Sequence, residues 1–253
     1  MRLQLTFSFF LVFLIVFSYC TQSTSENKVE ISFNSKFYVA LEIIGVQEPF
    51  EFNDYYYANF SGKSQTSIEC MINSDTTFVL EFNSNMPEEF YFDLEKTKIP
   101  YFSSLKDTIR ISYDVVSKEV EYGGSNQLIN EFLLSKRAIK EDIVKTSRIL
   151  YHSYDMPYST IYSKLDSLAT LENDFLDNTQ IRIPDWYRLL EIQNIEFKYA
   201  FLKLQIPSYR NYQKVDSKNI PSDEELSFLK KINLNSPYNQ YLNEFHVFMI
   251  YYY

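Results

Sequence analysis

Cysteine and histidine, the residue types best suited to covalent and metal chemistry, are scarce in this chain of 253 residues, which contains two of each. No CxxC or HxxxH pairing occurs, so the spacing of a Cys/His zinc site is missing. His152 and His246 have no triad or ligand partner at a recognisable spacing, and we expect each at a helix end or an interface. The sequence therefore predicts no metal, no cofactor and no catalytic histidine.

Acidic side chains could serve an enzyme, because paired carboxylates can act as general acid and base. Three acidic pairs are expected instead on helix starts or turns, facing water or the helix dipole: Glu88-Glu89, Glu141-Asp142 and Glu224-Glu225. Only four Gly occur, and neither GxGxxG nor GxxxxGK[ST] is present, so a Gly-rich phosphate loop is excluded. We predict that the protein is not an enzyme.

Aromatic residues are the remaining candidates for a site, since 22 Tyr, 22 Phe and 1 Trp make up 18% of the chain. Exposed rings could stack on a glycan or an apolar ligand. The candidates for such a platform are Tyr55, Tyr56, Tyr57, Tyr91 and Tyr101. The favoured interpretation is core packing, because β-rich domains use aromatic rings as cross-strand pairs and the enrichment also pervades the helical half.

Composition limits the class of partner. Hydrophobic residues at 45% and charged residues at 23% are typical of a globular protein. Lys and Arg number 24 against 33 Asp and Glu, which gives a net charge of −9. Such a charge argues against a nucleic-acid partner.

The N-terminus has the pattern of an export signal. Arg2 precedes Leu5–Phe17, a mostly apolar run of about thirteen residues. A transmembrane helix needs about 20 residues, so we predict an export signal over residues 1–19 and a polar tether over 20–28. An uncleaved signal anchor is the alternative.

Cys20, at the end of this apolar run, is the candidate lipidation site. Bacterial lipoprotein signals end in small residues before the lipidated cysteine; Ser18 fits that pattern, whereas Tyr19 is larger than usual. Lipidation predicts a membrane-anchored protein of the cell envelope, at the outer membrane or in the periplasm. Cleavage just after Cys20 is the alternative and would give a soluble exported protein.

Residues 29–124 have a period of two, which predicts an antiparallel β-sandwich. The alternation is clearest in four segments: Phe37–Ile43, Phe78–Phe82, Phe90–Leu94 and Ile109–Tyr113. Cys70 shares a strand face with Ile68 and Ile72 and is expected to be buried; if Cys20 is lipidated, Cys70 has no disulfide partner. The aromatic segment 54–60 is either an edge strand or a loop over the sheet.

At Gly123-Gly124 the period becomes helical, and residues 125–253 are predicted to form a helical domain. We expect five helices: from the N-cap Ser125 to His152, from Pro157, from Pro184 to Gln205, from the capping box at 222–225 to Lys231, and over 238–252. No linker separates the halves, so Leu128 and Phe132 are expected to contact the last strand near Val120 and Tyr122.

Two sequence patterns resemble a known family. The first contains Asp107, Ile109, Ile111, Gly123, Asn130 and Leu133 or Leu134; the second is Leu234-Asn-Ser-Pro-Tyr-Asn-Gln-Tyr-Leu242. They resemble the N-terminal region of Bacteroidetes envelope lipoproteins with a TlpA-like, AhpC/TSA-type thioredoxin domain. The resemblance covers residues 29 to 252.

The resemblance implies a β-domain and helices that precede a thioredoxin domain. The redox work of that family is done by a WCxxC site with a low-pKa thiolate, and this chain has no CxxC. The resulting interpretation is a non-catalytic, lipid-anchored binding or scaffolding module with an envelope protein as partner. The alternatives are a truncated thiol–disulfide oxidoreductase whose catalytic domain is missing, and an aromatic-platform glycan binder.

Overall fold

The computed structural model describes residues 35–55, 67–84, 87–95, 97–104, 107–213, 220–239 and 242–252. The strands are β1 (Ser35–Ile44), β2 (Phe50–Tyr55), β3 (Ser67–Ile72), β4 (Thr76–Ser84), β5 (Glu88–Leu94), β6 (Thr97–Ser103), β7 (Thr108–Asp114) and β8 (Val120–Gly123). The helices are α1 (Gln127–Tyr151), α2 (Tyr158–Asn178), α3 (Asp185–Tyr212), a 3-10 helix (Ser227–Lys231) and α4 (Asn243–Tyr252). The predicted α+β class, with strands before Gly123-Gly124 and helices after it, is confirmed.

The strands form two four-stranded sheets, in the orders β4-β1-β7-β8 and β3-β2-β5-β6. Buried residues of both sheets share one apolar cluster, as in a sandwich. Five of the described pairings are antiparallel, and β1 pairs with β7 in parallel. A parallel pair needs a long connection, and the chain between β1 and β7 supplies one that includes the whole second sheet.

The sandwich core follows the predicted alternation. Phe37, Val39, Leu41 and Ile43 are all 0% exposed. Cys70 is only half-buried, contrary to expectation, because β3 is an edge strand and its side chain lies at the margin of the cluster. The alternation of period two therefore predicts burial well in the central strands and less well in the edge strand.

The outer edge of β6 is closed by side chains. Arg137 Nη1 donates to the carbonyl oxygen of Lys98 (2.9 Å), and Tyr122 Oη donates to that of Pro100 (2.5 Å). The backbone N–H of Phe102 donates to Asn130 Oδ1 (2.6 Å). An edge whose polar groups are occupied in this way is protected against pairing with another strand.

The turn from β8 into α1 requires Gly124. Its φ is +102°, and a Cβ atom there would lie 2.5 Å from the carbonyl oxygen of Thr108. The helix N-cap is Asn126 rather than the predicted Ser125. The Ser125 hydroxyl and the Asn126 amide, at 2.6 Å, both donate to the Asp107 carboxylate, so these side chains tie the turn to β7 instead of capping the helix.

Helix α1 packs against β6 and β8, as expected for two halves in contact. Phe132 is 0% exposed and belongs to an apolar cluster with Phe102 of β6 and Tyr187 of α3. Leu128 is 44% exposed, so it buries little area in this contact. Val120 and Tyr122, the expected neighbours of Phe132, belong to the sandwich cluster instead. The buried stripe of α1 is instead rotated toward Ile129 and Leu133.

Helix α3 continues past the predicted end at Gln205 to Tyr212, although it contains Pro207. Proline has no N–H, so the carbonyl oxygen of Lys203 loses its helical partner. The Tyr162 hydroxyl of α2 donates to that oxygen (2.7 Å). The neighbouring helix thus compensates for the missing bond.

The C-terminal segment is less regular than predicted. Ser222 and Glu225 form a reciprocal capping box, with Ser222 N–H to Glu225 Oε2 at 2.8 Å, yet a 3-10 helix follows. The last helix begins at Asn243 rather than at 238. Side-chain hydrogen bonds hold the preceding turn, including Gln193 Nε2 to Ser236 Oγ (2.6 Å), and such bonds compete with helix formation.

The described strands and helices belong to one compact unit, Ile31–Tyr253. Of the helices in the described ranges, none combines the length and apolar character needed to cross a membrane.

Candidate functional site

A groove lies between β5, β6 and α1. Its volume is about 480 Å³, within the usual range of ligand-binding pockets. Phe90 and Phe92 of β5 point into the sandwich core, so the alternation of the strand turns Tyr91 to the opposite face. The floor is formed by Tyr91, Pro100 and Leu133.

The rim of the groove is basic. Five cations line it: Lys98, Arg137, Lys140, Lys145 and Arg148. Only Glu89 and Glu141 oppose them, so the lining carries a net charge of +3 in a protein of −9. Four of the cations lie on α1, where the rise of 1.5 Å per residue spreads them over about 16 Å.

These cations differ in how they are paired. Lys140 Nζ lies 3.2 Å from Glu89 Oε1, and Arg137 Nε lies 3.9 Å from Glu141 Oε1. Lys98 Nζ lies 4.9 Å from the centre of the Tyr91 ring, a cation–π contact.

Lys145 and Arg148 are exposed, and within the described ranges neither forms an ion pair. Val144, 48% exposed, lies beside them on the same helix. The end of the groove that lies toward the C-terminus of α1 (its distal end) therefore presents two uncompensated cations beside an apolar surface.

A second polar feature is a buried ion network that joins α1, α2 and α3. Lys136 of α1 contacts Glu191 of α3 and lies 3.4 Å from Glu172 of α2. Glu172 also accepts from Lys198 (2.5 Å) and from the Tyr199 hydroxyl (2.6 Å). Two lysines thus balance two glutamates, and the network can hold the helices in register.

Burial alone would raise the pKa of Glu172, but Lys136 and Lys198 outweigh it and hold that pKa below its ordinary value of 4.5. Burial alone would lower the pKa of Lys136, and Glu191 and Glu172 reverse that effect, so its pKa is raised. Both groups are therefore charged at neutral pH, as a structural ion network requires.

A smaller cavity of about 270 Å³ lies between α1, α3 and α4 and shares Val144 with the groove. Lys198, Phe201 and Glu244 are among its lining residues. Burial raises the pKa of Glu244. This cavity suits a small ligand poorly, because 270 Å³ is below the usual range.

The aromatic candidates are dispersed. Tyr91 lines the groove, whereas Tyr101 is 0% exposed in the sandwich core and cannot reach a surface ligand. Tyr55 ends β2, opposite Tyr91 in the register. Tyr56 and Tyr57 lie outside the described residues, as does Cys20.

Of the remaining candidates, Glu89 and Glu141 line the groove and the two histidines do not. His152 is the C-cap of α1, with its ring 5.8 Å from that of Tyr209, and His246 lies within α4. Glu89 lies on β5 and Glu141 in the middle of α1, not on the helix starts or turns that were expected. No three His, Cys, Asp or Glu side chains of the described segments come together as metal ligands.

The residues of the first family pattern meet at the junction of the two halves. Asp107 accepts from Asn126, and Asn130 accepts from the β6 backbone. Ile109 and Ile111 lie in the sandwich core. The pattern therefore coincides mainly with a structural joint, although Leu133 also lines the groove.

The basic row on α1 was missed from the sequence. The i, i+3 spacing of Arg137 and Lys140, and of Lys145 and Arg148, was visible, but it is also typical of a solvated helix face. Only the packing of α1 beside Tyr91 turns this face into one wall of a groove.

A comparison with models of known protein families finds no match, and a comparison with curated proteins finds no significant one.

Proposed function

We propose that the protein is an exported, lipid-anchored module of the cell envelope that binds or scaffolds a partner without catalysis. The observation that carries the proposal is the groove between β5, β6 and α1, with its apolar floor and basic rim. Covalent catalysis would need a nucleophile beside a base, whereas apolar and charged side chains of this kind suit binding.

The proposed anchor is Cys20. A diacylglyceryl group with an N-acyl chain buries enough CH₂ groups, at about 0.8 kcal/mol each, for stable attachment. Cys20→Ser should therefore move the protein from the membrane pellet to the soluble fraction. If the variant and the wild type fractionate alike, the anchor is not at Cys20.

The groove can be tested as a binding surface by cross-linking in the native envelope. A photo-reactive amino acid at Val144, inside the groove, should give a discrete cross-linked product. The same amino acid at Ile149, which is 58% exposed on α1 and is not a lining residue, is the matched control. Equal labelling at both positions, or none at Val144, would remove the groove from the proposal.

The absence of redox activity is tested with insulin and dithiothreitol. Cys70 is a free thiol whose pKa burial raises, and it has no resolving cysteine beside it in the described chain. We expect insulin reduction at the uncatalysed rate. Turnover above that rate that is lost in Cys70→Ala would contradict a non-catalytic role.

A further inference from the structure

We infer that the occupant of the groove is an extended acidic peptide segment in which acidic and apolar side chains alternate. The inference rests on the proposed binding function and names the chemistry of the partner. It is carried by charge complementarity together with the shape and lining of the groove.

Charge favours an anionic occupant. The lining has a net charge of +3 although the chain as a whole is at −9. Glu89 and Glu141 already compensate Lys140 and Arg137, and Lys98 lies over the Tyr91 ring. The uncompensated charge on α1 therefore belongs to Lys145 and Arg148. An acidic side chain placed there gains two cations and meets no described carboxylate within ion-pair distance.

Length and alternation favour an extended peptide. The basic row on α1 is about 16 Å long, which corresponds to about five residues of extended chain at 3.3 Å each. Successive side chains of such a chain point to opposite sides. One set can then face the cations of α1 while the other lies on Tyr91, Pro100 and Leu133.

The binding mode is set by side chains and not by strand addition. The outer edge of β6 has its carbonyl oxygens at Lys98 and Pro100 occupied by Arg137 and Tyr122. A peptide therefore cannot extend this sheet through those groups. Specificity must come from the cations and the apolar floor.

A glycan is the less favoured occupant. Sugar stacking needs an open aromatic face, and the Tyr91 ring is covered on one face by Lys98 Nζ at 4.9 Å. Tyr101, the other described candidate ring, is 0% exposed. Among the candidate rings that the structure describes, the platform is thus reduced to Tyr91, with a cation over it.

The test is titration of the protein, purified from cells that express the full chain, with labelled peptides. The probe Glu-Phe-Glu-Phe-Glu-Phe should bind with a Kd below about 100 µM at low salt and more weakly at high salt. Lys-Phe-Lys-Phe-Lys-Phe should not bind measurably. An oligogalacturonate with a charge similar to that of the acidic peptide tests whether an anionic glycan binds instead.

Two variants locate the site. Lys145→Glu with Arg148→Glu should weaken binding of the acidic peptide at least about tenfold, or about 1.4 kcal/mol. The matched control, Lys164→Glu with Lys230→Glu, makes the same change in charge at exposed positions that do not line the groove, and it should retain most of the affinity. Val144→Asp should also weaken binding, and Ile149→Asp should not.

The outcomes separate the two proposals. Binding of the acidic peptide that is lost only in the groove variants supports the inference. A specific cross-link at Val144 without peptide binding, or with oligogalacturonate binding instead, overturns the peptide and leaves the binding function standing. Equal loss of affinity in the control variant means that net charge, and not the groove, attracts the peptide, and this also overturns the inference.

Discussion

The two halves of the molecule bury different kinds of side chain. The sandwich core is apolar and contains stacked aromatic rings, with the ring centroid of Phe92 4.7 Å from that of Tyr101. The helical half buries charge: Glu172 is 3% exposed, Glu191 4% and Arg210 2%. Each of these three has a polar partner on another helix or loop.

This difference follows from geometry. A strand alternates its side chains strictly, so one face can be wholly apolar. Three long helices that pack side by side cover much of one another's surface. Long polar side chains that lie at the contacts between the helices are therefore buried. Those side chains must then find partners, as Lys136, Glu172 and Glu191 do.

The largest effect is expected from the sandwich core. Phe92 is 0% exposed, and Phe92→Ala should lower the free energy of unfolding by about 3–5 kcal/mol because it leaves a cavity among aromatic rings. Urea unfolding followed by circular dichroism measures the loss. Val79→Ala, at a residue 71% exposed on β4, is the control, with a change within about 0.5 kcal/mol. A loss below about 1 kcal/mol for Phe92→Ala would show that the core tolerates a void.

The second-largest loss of stability is expected from a substitution in the buried ion network. Glu172→Gln removes the buried charge that faces Lys136 and Lys198 and should cost about 3 kcal/mol, since it leaves these two partly buried cations without a full counter-charge. The control is Glu81→Gln, which breaks the exposed pair with Lys36 and should change the midpoint of urea unfolding by no more than the error. Equal effects of the two substitutions would mean that burial of the network is unimportant.

The same network makes a pH prediction. The pKa of Glu172 is lowered in the folded protein, so its stabilisation is present above its ordinary value of 4.5 and is lost as the pH falls through the folded pKa. The difference in unfolding free energy between wild type and Glu172→Gln should therefore be largest at neutral pH and shrink in acid. A constant difference would contradict the shift.

At the junction between the halves, an alanine substitution should destabilise the protein at Gly124 and be tolerated at Gly123. Gly124→Ala places a Cβ 2.5 Å from the Thr108 carbonyl oxygen at a φ of +102° and should cost about 2 kcal/mol. Gly123→Ala brings its Cβ no closer than 3.5 Å to Arg110 Cβ, an ordinary contact. Thermal unfolding of both variants measures the contrast, and similar melting temperatures would refute it.

The smallest expected effect is a gain in stability, on substitution of Glu244. Burial raises the pKa of Glu244, so its carboxylate opposes folding progressively as the pH rises above its ordinary value of 4.5. Glu244→Gln should stabilise the protein by less than about 1 kcal/mol at pH 7 and not at pH 4. Unfolding free energies at the two pH values test this, and a destabilised variant at pH 7 would show that the charge of Glu244 is needed.

Local patterns in the sequence predicted the order of the elements. Strict alternation in Phe37–Ile43 is fully reflected in burial, and prolines at 157 and 184 directly precede α2 and α3. The failures lie where a distant partner intervenes: α3 runs through Pro207 because Tyr162 supplies a hydrogen bond, and Asn126 replaces Ser125 as N-cap beside Asp107.

The sequence by itself determined the class of fold and the point at which strands give way to helices, because periods of two and 3.6 are properties of neighbouring residues. The tertiary structure alone decided that β1 and β7 pair in parallel and that Glu172 meets two lysines. It alone also set the basic face of α1 against Tyr91. These contacts join residues far apart in the chain, and no local period encodes which distant surfaces will meet.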